Sequence, residues 1–194
     1  MRTLARNLTS VGILLVCSAL PSWADFDAGV AASKSGDYAA ALKEWRPLAE
    51  QGHANAQFNL GVMYENGWGV PEDHAEAVRW YRPAAEQGHT KAQFNLGVMY
   101  DRGQGVPQDY AEARRWYHLA AEKGHALAQA KLGFLYETGH GVLQDYVQAY
   151  MWYNLAGKLG FKEASEWRNR TANKMTPAQI AEAKKLAREW KPKK

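Results

Sequence analysis

The sequence predicts an all-α fold, an α/α superhelical solenoid of short helix pairs, and three observations carry that expectation. The stretch Gln51–Glu86 is followed at once by Gln87–Glu122, identical to it at 26 of 36 positions without a gap. A third, looser copy over 123–158 keeps Gly124, His125, Leu132, Gly133, Tyr136, Gly139, Gly141, Val142, Asp145, Trp152 and Tyr153. Within each copy apolar residues recur three and four positions apart, which places them on one face of a helix. A fixed period of this length marks a repeat array. Each unit leaves an apolar face bare, so stability must come from stacking on its neighbours.

The chain opens with a segment that reads as an export signal. Arg2 and Arg6 are followed by the largely apolar run Leu8–Leu20, and Ser22-Trp23-Ala24 offers small residues at the two positions a signal peptidase reads. The run is too short for a membrane span, which needs about 20 apolar residues. Residues 1–24 are therefore taken as a signal peptide, with no stable membrane anchor after cleavage.

Residues 25–51 form a shorter first unit. Phe26–Ala32 reads as a helix, Ser35-Gly36-Asp37 as a tight turn with Asp37 as a helix cap, and Tyr38–Glu50 as the second helix that Asp37 caps. In the three full repeats, 51–158, the first helix runs from Asn55 to Asn66, with Ala56, Leu60, Met63 and Tyr64 on one face. Gly67 ends it in the left-handed conformation. Asp73 caps the second helix, which carries Ala77, Tyr81, Ala84 and Ala85 on its buried stripe and Trp80 at its flank. Pro47 and Pro83 should kink their helices or begin the last turn. Ala128–Thr138 and Asp145–Gly157 repeat the pair. The predicted core is Leu60, Leu96 and Leu132 with Tyr64, Tyr100, Tyr136, Tyr81, Tyr117 and Tyr153.

After Gly160 the pattern decays, and residues 159–194 read as C-terminal capping helices with a basic tail. Thr176-Pro177-Ala178-Gln179 is a helix start. The last helix, to about Trp190, puts Ile180, Ala183, Ala187 and Trp190 inward and its charges outward, as a terminal cap requires.

At the spacing of Ala56, Leu60-Gly61, Tyr64, Gly67, Gly69-Val70, Asp73, Ala77, Trp80-Tyr81, Ala84-Ala85 and Gly88, the chain resembles the Sel-1-like repeat family, relatives of the tetratricopeptide repeats. The match recurs from Ala92 to Gly124, and the first unit looks more like a tetratricopeptide unit. The resemblance implies a right-handed superhelix of antiparallel helix pairs. It also implies an adaptor for protein–protein interaction, in bacteria often in the envelope or secreted. Cysteine-rich exported relatives are reported to bind penicillin-like ligands and carry a disulfide in each repeat. Here the only cysteine, Cys17, falls within the signal segment.

In tetratricopeptide-like superhelices the face of the first helices turned away from Leu60 and Tyr64 lines a concave groove. On this chain it would hold Asn55, Phe58, Asn59 and Val62, then Lys91, Phe94, Asn95 and Val98, then Lys131 and Phe134. Apolar anchors beside orienting amides suit an extended peptide or a partner helix. The competing reading is that Phe58 and Phe94 fill space between successive helices.

His53, His89 and His125 recur at one place in each repeat, about one repeat apart along the stack. That is too far to share a metal at about 2.0–2.1 Å from each nitrogen, so a turn or capping role is expected and no metal site. Trp68 in the loop reads equally as an interaction hot spot or as packing across the loop. The repeated Glu76, Glu86, Glu112 and Glu122 fall on solvent faces, and no nucleophile–base pair or phosphate-cradling loop is present, so neither catalysis nor a cofactor is expected. Removing Arg2 and Arg6 lowers the formal charge from +4 to +2, too near neutral to argue for nucleic acid.

The sequence therefore reads as a periplasmic or secreted, non-catalytic scaffold binding a protein or peptide partner. The alternative is a wall-associated protein binding peptidoglycan or β-lactam-like ligands, with hydrolysis conceivable.

Overall fold

In the computed structural model, residues 24–193 are described. Residues 1–23, nearly all of the segment read as an export signal, lie outside the described residues. Ten helices succeed one another in antiparallel pairs along the described chain. The first unit comprises α1 (Phe26–Lys34) and α2 (Tyr38–Glu50). The three repeats comprise α3 (Ala54–Asn66) with α4 (His74–Glu86), α5 (Thr90–Arg102) with α6 (Tyr110–Glu122), and α7 (Ala126–Thr138) with α8 (Tyr146–Lys158). α9 (Lys162–Ala172) and α10 (Pro177–Glu189) complete the described chain.

Local chemistry sets the helix ends. Asp37, Asp73, Asp109 and Asp145 each accept a backbone N–H in the first turn of the second helix of a pair. The three histidines start the first helices: Nδ1 of His53, His89 and His125 accepts from the N–H of Ala56, Ala92 and Ala128 at 3.3, 3.1 and 3.2 Å. Gly67, Gly103 and Gly139 close those helices with φ of +67°, +67° and +77°. Pro47 and Pro83 sit in the last turns of α2 and α4.

Between neighbouring units, two kinds of contact recur. Gln57, Gln93 and Gln129 are buried, and Nε2 of each donates to the carbonyl of Ala49, Ala85 or Ala121 in the preceding second helix, at 3.0, 3.1 and 3.2 Å. Each of these carbonyls also accepts the N–H of the turn glycine that follows, Gly52, Gly88 or Gly124, so the glutamine occupies its second acceptor position at the helix end. The connecting loop of each repeat lies on the start of the previous second helix. Trp68 stacks on Tyr38 at 5.2 Å, Gln104 bonds His74 at 3.3 Å, and His140 stacks on Tyr110 at 4.8 Å. Trp68 thus packs across the loop while staying 40% exposed.

The core departs from expectation in one set of residues. Leu60, Leu96, Leu132, Tyr81, Tyr117 and Tyr153 are buried as predicted. Tyr64, Tyr100 and Tyr136 are only half-buried. The phenols of Tyr64 and Tyr100 reach the edge of the packing and accept from Arg46 at 3.0 Å and Arg82 at 2.6 Å, on the second helix of the preceding pair. Met63, Met99 and Leu135 take the deeper place. In the first unit, Trp45 stands where the repeats have the buried tyrosine, packing over Gly29 and donating to the Phe26 carbonyl at 3.2 Å.

α9 packs against α8, but α10 turns back and lies on α8 as well. Ala183 and Ala187 are buried there and Trp190 meets Trp152 edge-on at 6.2 Å. The tail then reaches α6: the Lys193 N–H donates to the Glu122 carbonyl at 2.7 Å, and its Nζ pairs with the Glu122 carboxylate at 2.6 Å. Glu122, predicted to face solvent, is largely covered by this contact.

Candidate functional site

The face of α3, α5 and α7 that carries the predicted ladder is built from an arrangement that recurs in each repeat. Gly61, Gly97 and Gly133 lack the Cβ that would otherwise meet the ring of Tyr81, Tyr117 or Tyr153 at about 2.5–2.7 Å. Each ring, sent from the second helix, crosses the first helix at that glycine and delivers its hydroxyl to a carboxylate. Tyr81 donates to Glu65, Tyr117 to Asp101 at 3.0 Å, and Tyr153 to Glu137 at 2.9 Å. Burial, reinforced by the adjacent carboxylate charge, pushes all three phenols well above the ordinary tyrosine range. They are donors, not acids.

The next repeat adds a partner to each pair. Asn95 donates to the Tyr81 hydroxyl at 3.0 Å, Lys131 meets Asp101 at 3.0 Å, and Lys174 meets Glu137 at 3.0 Å. Predicted ladder residues Asn95 and Lys131 thus join successive repeats.

Phe58 and Phe94 also bridge repeats. Phe58 stacks on His89 and Phe94 on His125, both at 4.6 Å, and each leans on the crossing tyrosine at 5.9 and 5.8 Å. Phe26 repeats the pattern on His53 at 5.1 Å. Phe58 and Phe94 are half-buried, as are Asn59, Val62 and Val98, whereas Asn55 and Lys91 are exposed and Phe134 is 42% exposed. Burial, followed by the charge of Lys91, holds the imidazoles of His89 and His125 below the ordinary histidine range.

Shallow clefts open along this face. One brings together Phe26, Asn55, Phe58, Asn59, His89 and Lys91. A small apolar notch lies between Phe94, Leu127, Ala130 and Trp167. A cleft of about 380 Å³ is lined by Lys131, Phe134, Glu137, Tyr153, Trp167 and Arg170. Most of the predicted ladder residues line a cleft or hold the repeats together beside one; Val62 and Val98 only pack beside the apolar clusters.

Trp167 and Arg170 were absent from the sequence-based ladder, yet they stand one period beyond Lys131 and Phe134. The signal was there: α9 keeps the phase of the first helices although Arg168 and Asn169 replace the leucine and glycine that mark the repeat. Among the described residues, no group of three or more His, Asp or Glu could hold a metal. No helix among them is long and apolar enough to cross a membrane.

Comparison with known proteins gives consistent results. The Sel1 repeat family matches residues 54–89, 90–125 and 126–161. The crystal structure of a Sel1 repeat protein from Oxalobacter formigenes is similar with a TM-score of 0.69 and 37% identity, over 72% of this chain and 58% of that one. A protective antigen present in uropathogenic Escherichia coli strains, displaying an SLR fold, is similar with a TM-score of 0.61 and 30% identity, over 85% of this chain and 44% of that one. The chain thus spans only about half the length of these two relatives. No curated protein matches it.

Proposed function

Since this chain belongs to the Sel1 repeat family, whose repeats generally serve as protein–protein interaction scaffolds, we propose that it is a non-catalytic adaptor of the bacterial envelope, exported and holding a peptide or protein partner in the groove formed by α3, α5, α7 and α9. The observation that carries this reading is the row of clefts on one face, where aromatic rings alternate with amides and ammonium groups. Apolar anchors there would hold side chains of an extended partner while Asn55, Asn59 and Lys91 fix its backbone. Export rests on Arg2, Arg6 and the run Leu8–Leu20. The intact mass of protein recovered from cells, matched against cleavage after Ala24, tests that part separately.

Phe58 and Phe94 join repeats, so substituting them would confound binding with folding. Lys91→Glu with Phe134→Asp alters two exposed ladder positions instead. Crosslinked capture from envelope extract should recover a partner with the native protein and lose it with this variant at unchanged helicity. A partner held equally by both would move binding away from the groove.

A further inference from the structure

The cleft at the α9 end of the ladder sets a guanidinium beside three aromatic rings. Its carboxylate, Glu137, is met on both oxygens, by the Tyr153 hydroxyl at 2.9 Å and by Lys174 at 3.0 Å. The Lys131 ammonium is paired with Asp101 at 3.0 Å. The Arg170 guanidinium has no hydrogen-bond or ion-pair partner among the described residues, and it stands at the cleft wall beside Tyr153. One uncompensated guanidinium therefore overlooks a pocket walled by the rings of Phe134, Tyr153 and Trp167. Trp167 is fixed in place by edge-on contacts with Tyr153 at 5.7 Å and Phe161 at 5.5 Å. The adjoining notch shares Lys131 and Trp167 with this cleft and has Phe94 and Leu127 in its lining, so the site continues along the groove.

We infer that this end of the groove is a subsite for an aromatic residue next to an acidic one in an extended peptide. The ring enters between Phe134 and Trp167, where edge-to-face contacts with aromatic walls are available. The neighbouring carboxylate meets Arg170, whose planar fork suits bidentate pairing. A smaller apolar side chain further along fills the notch against Phe94 and Leu127. A basic residue in place of the acidic one is rejected by Arg170, which gives the site direction as well as affinity. This deepens the groove reading above and rests on it.

The test selects a random library of short peptides on the immobilised protein and measures the enriched peptides in solution. The expected result is a consensus with an aromatic–acidic pair, weakened about tenfold or more by Arg170→Gln, only partly restored by Arg170→Lys, and unaffected by Lys184→Gln on α10. Replacing the acidic residue of the peptide by its amide should reproduce the loss and add nothing to the Arg170→Gln variant. Arg170 is exposed, so its substitution leaves the fold intact; circular dichroism verifies this. Enriched peptides that lack the pair, or are indifferent to Arg170→Gln, overturn the subsite while the groove reading stands. Recovery of no peptide overturns both. Self-association of the chain that Arg170→Gln dissolves would make the occupant a second copy and overturn the peptide proposal.

Discussion

His89 and His125 act as helix caps only while Nδ1 is unprotonated, because a protonated ring has no lone pair to accept the amides of Ala92 and Ala128. Burial and the Lys91 charge hold both below the ordinary value in the folded chain, whereas the unfolded chain titrates near about 6.5. The unfolded state therefore binds more protons in the interval beneath that value, and stability rises with pH there. The stabilisation is fully present above about pH 6.5 and is lost as pH falls through the folded values. The urea midpoint should drop between about pH 7.5 and about pH 5.5. In the His89→Asn, His125→Asn variant the amide oxygen still caps, so the midpoint starts lower, the stacking on Phe58 and Phe94 being lost, but falls less over the same interval. Equal falls in both proteins would assign the pH dependence to carboxylates. A second pair of residues separates packing from hydrogen bonding. Tyr117→Phe removes one donor from Asp101, which keeps Lys131, and should cost about 1 kcal/mol. Gly97→Ala drives a methyl to 2.7 Å from the Tyr117 ring and should lower the thermal midpoint more.

At the scale of elements, the repeat loops explain why neighbouring units keep one register. Gly105 lies against the backbone of His74 and Ala75 at the start of α4, with φ of +70°, and a Cβ there would strike the His74 carbonyl. Gly124 has a similar φ of +81° but open space around it. Gly124→Ala should thus cost about 1 kcal/mol, the conformational penalty alone. Gly105→Ala should cost distinctly more and loosen the loop's hold on α4, read as faster amide exchange at the start of that helix. Matching losses in urea titration would mean that the loop merely covers α4 without bracing it. These loops also mark how far the sequence could be read. Helix positions, caps and the leucine core emerged from period and spacing, since each repeat faces the same neighbours. The half-exposure of Tyr64 and Tyr100 did not, because it depends on Arg46 and Arg82, which come from another pair across the stack. The burial of Gln57 was hidden for the same reason: its partner is the end of the preceding helix. The place of α9 in the ladder was obscured where Arg168 and Asn169 break the leucine–glycine mark, while Trp167 and Arg170 kept the phase.

Across the whole molecule the interior is a row of adjoining clusters rather than one centre. Trp45 and Leu60 anchor the first, Tyr81 and Leu96 the next, Tyr117 and Leu132 the third, and Tyr153 and Ala164 the last. Each helix pair touches mainly its neighbours, so stability is a sum of repeat terms and interface terms. A defect in the middle repeat then affects both flanks, whereas one at an end affects a single interface. Leu96 is fully buried in the cluster that joins α4 to α5 and α6, and Leu96→Ala should cost about 2–5 kcal/mol. Because α5 couples the N-terminal units to the C-terminal ones, the variant should also unfold less cooperatively, with a shallower urea dependence than the native chain. Ala183→Gly on α10, which removes a methyl at the far end of the stack, should lower stability by about 1 kcal/mol and leave that slope unchanged. Unfolding monitored by tryptophan fluorescence and by circular dichroism distinguishes the two: the curves should separate for Leu96→Ala and coincide for Ala183→Gly. A thermal midpoint untouched by Leu96→Ala would show that this leucine does not hold the centre of the stack.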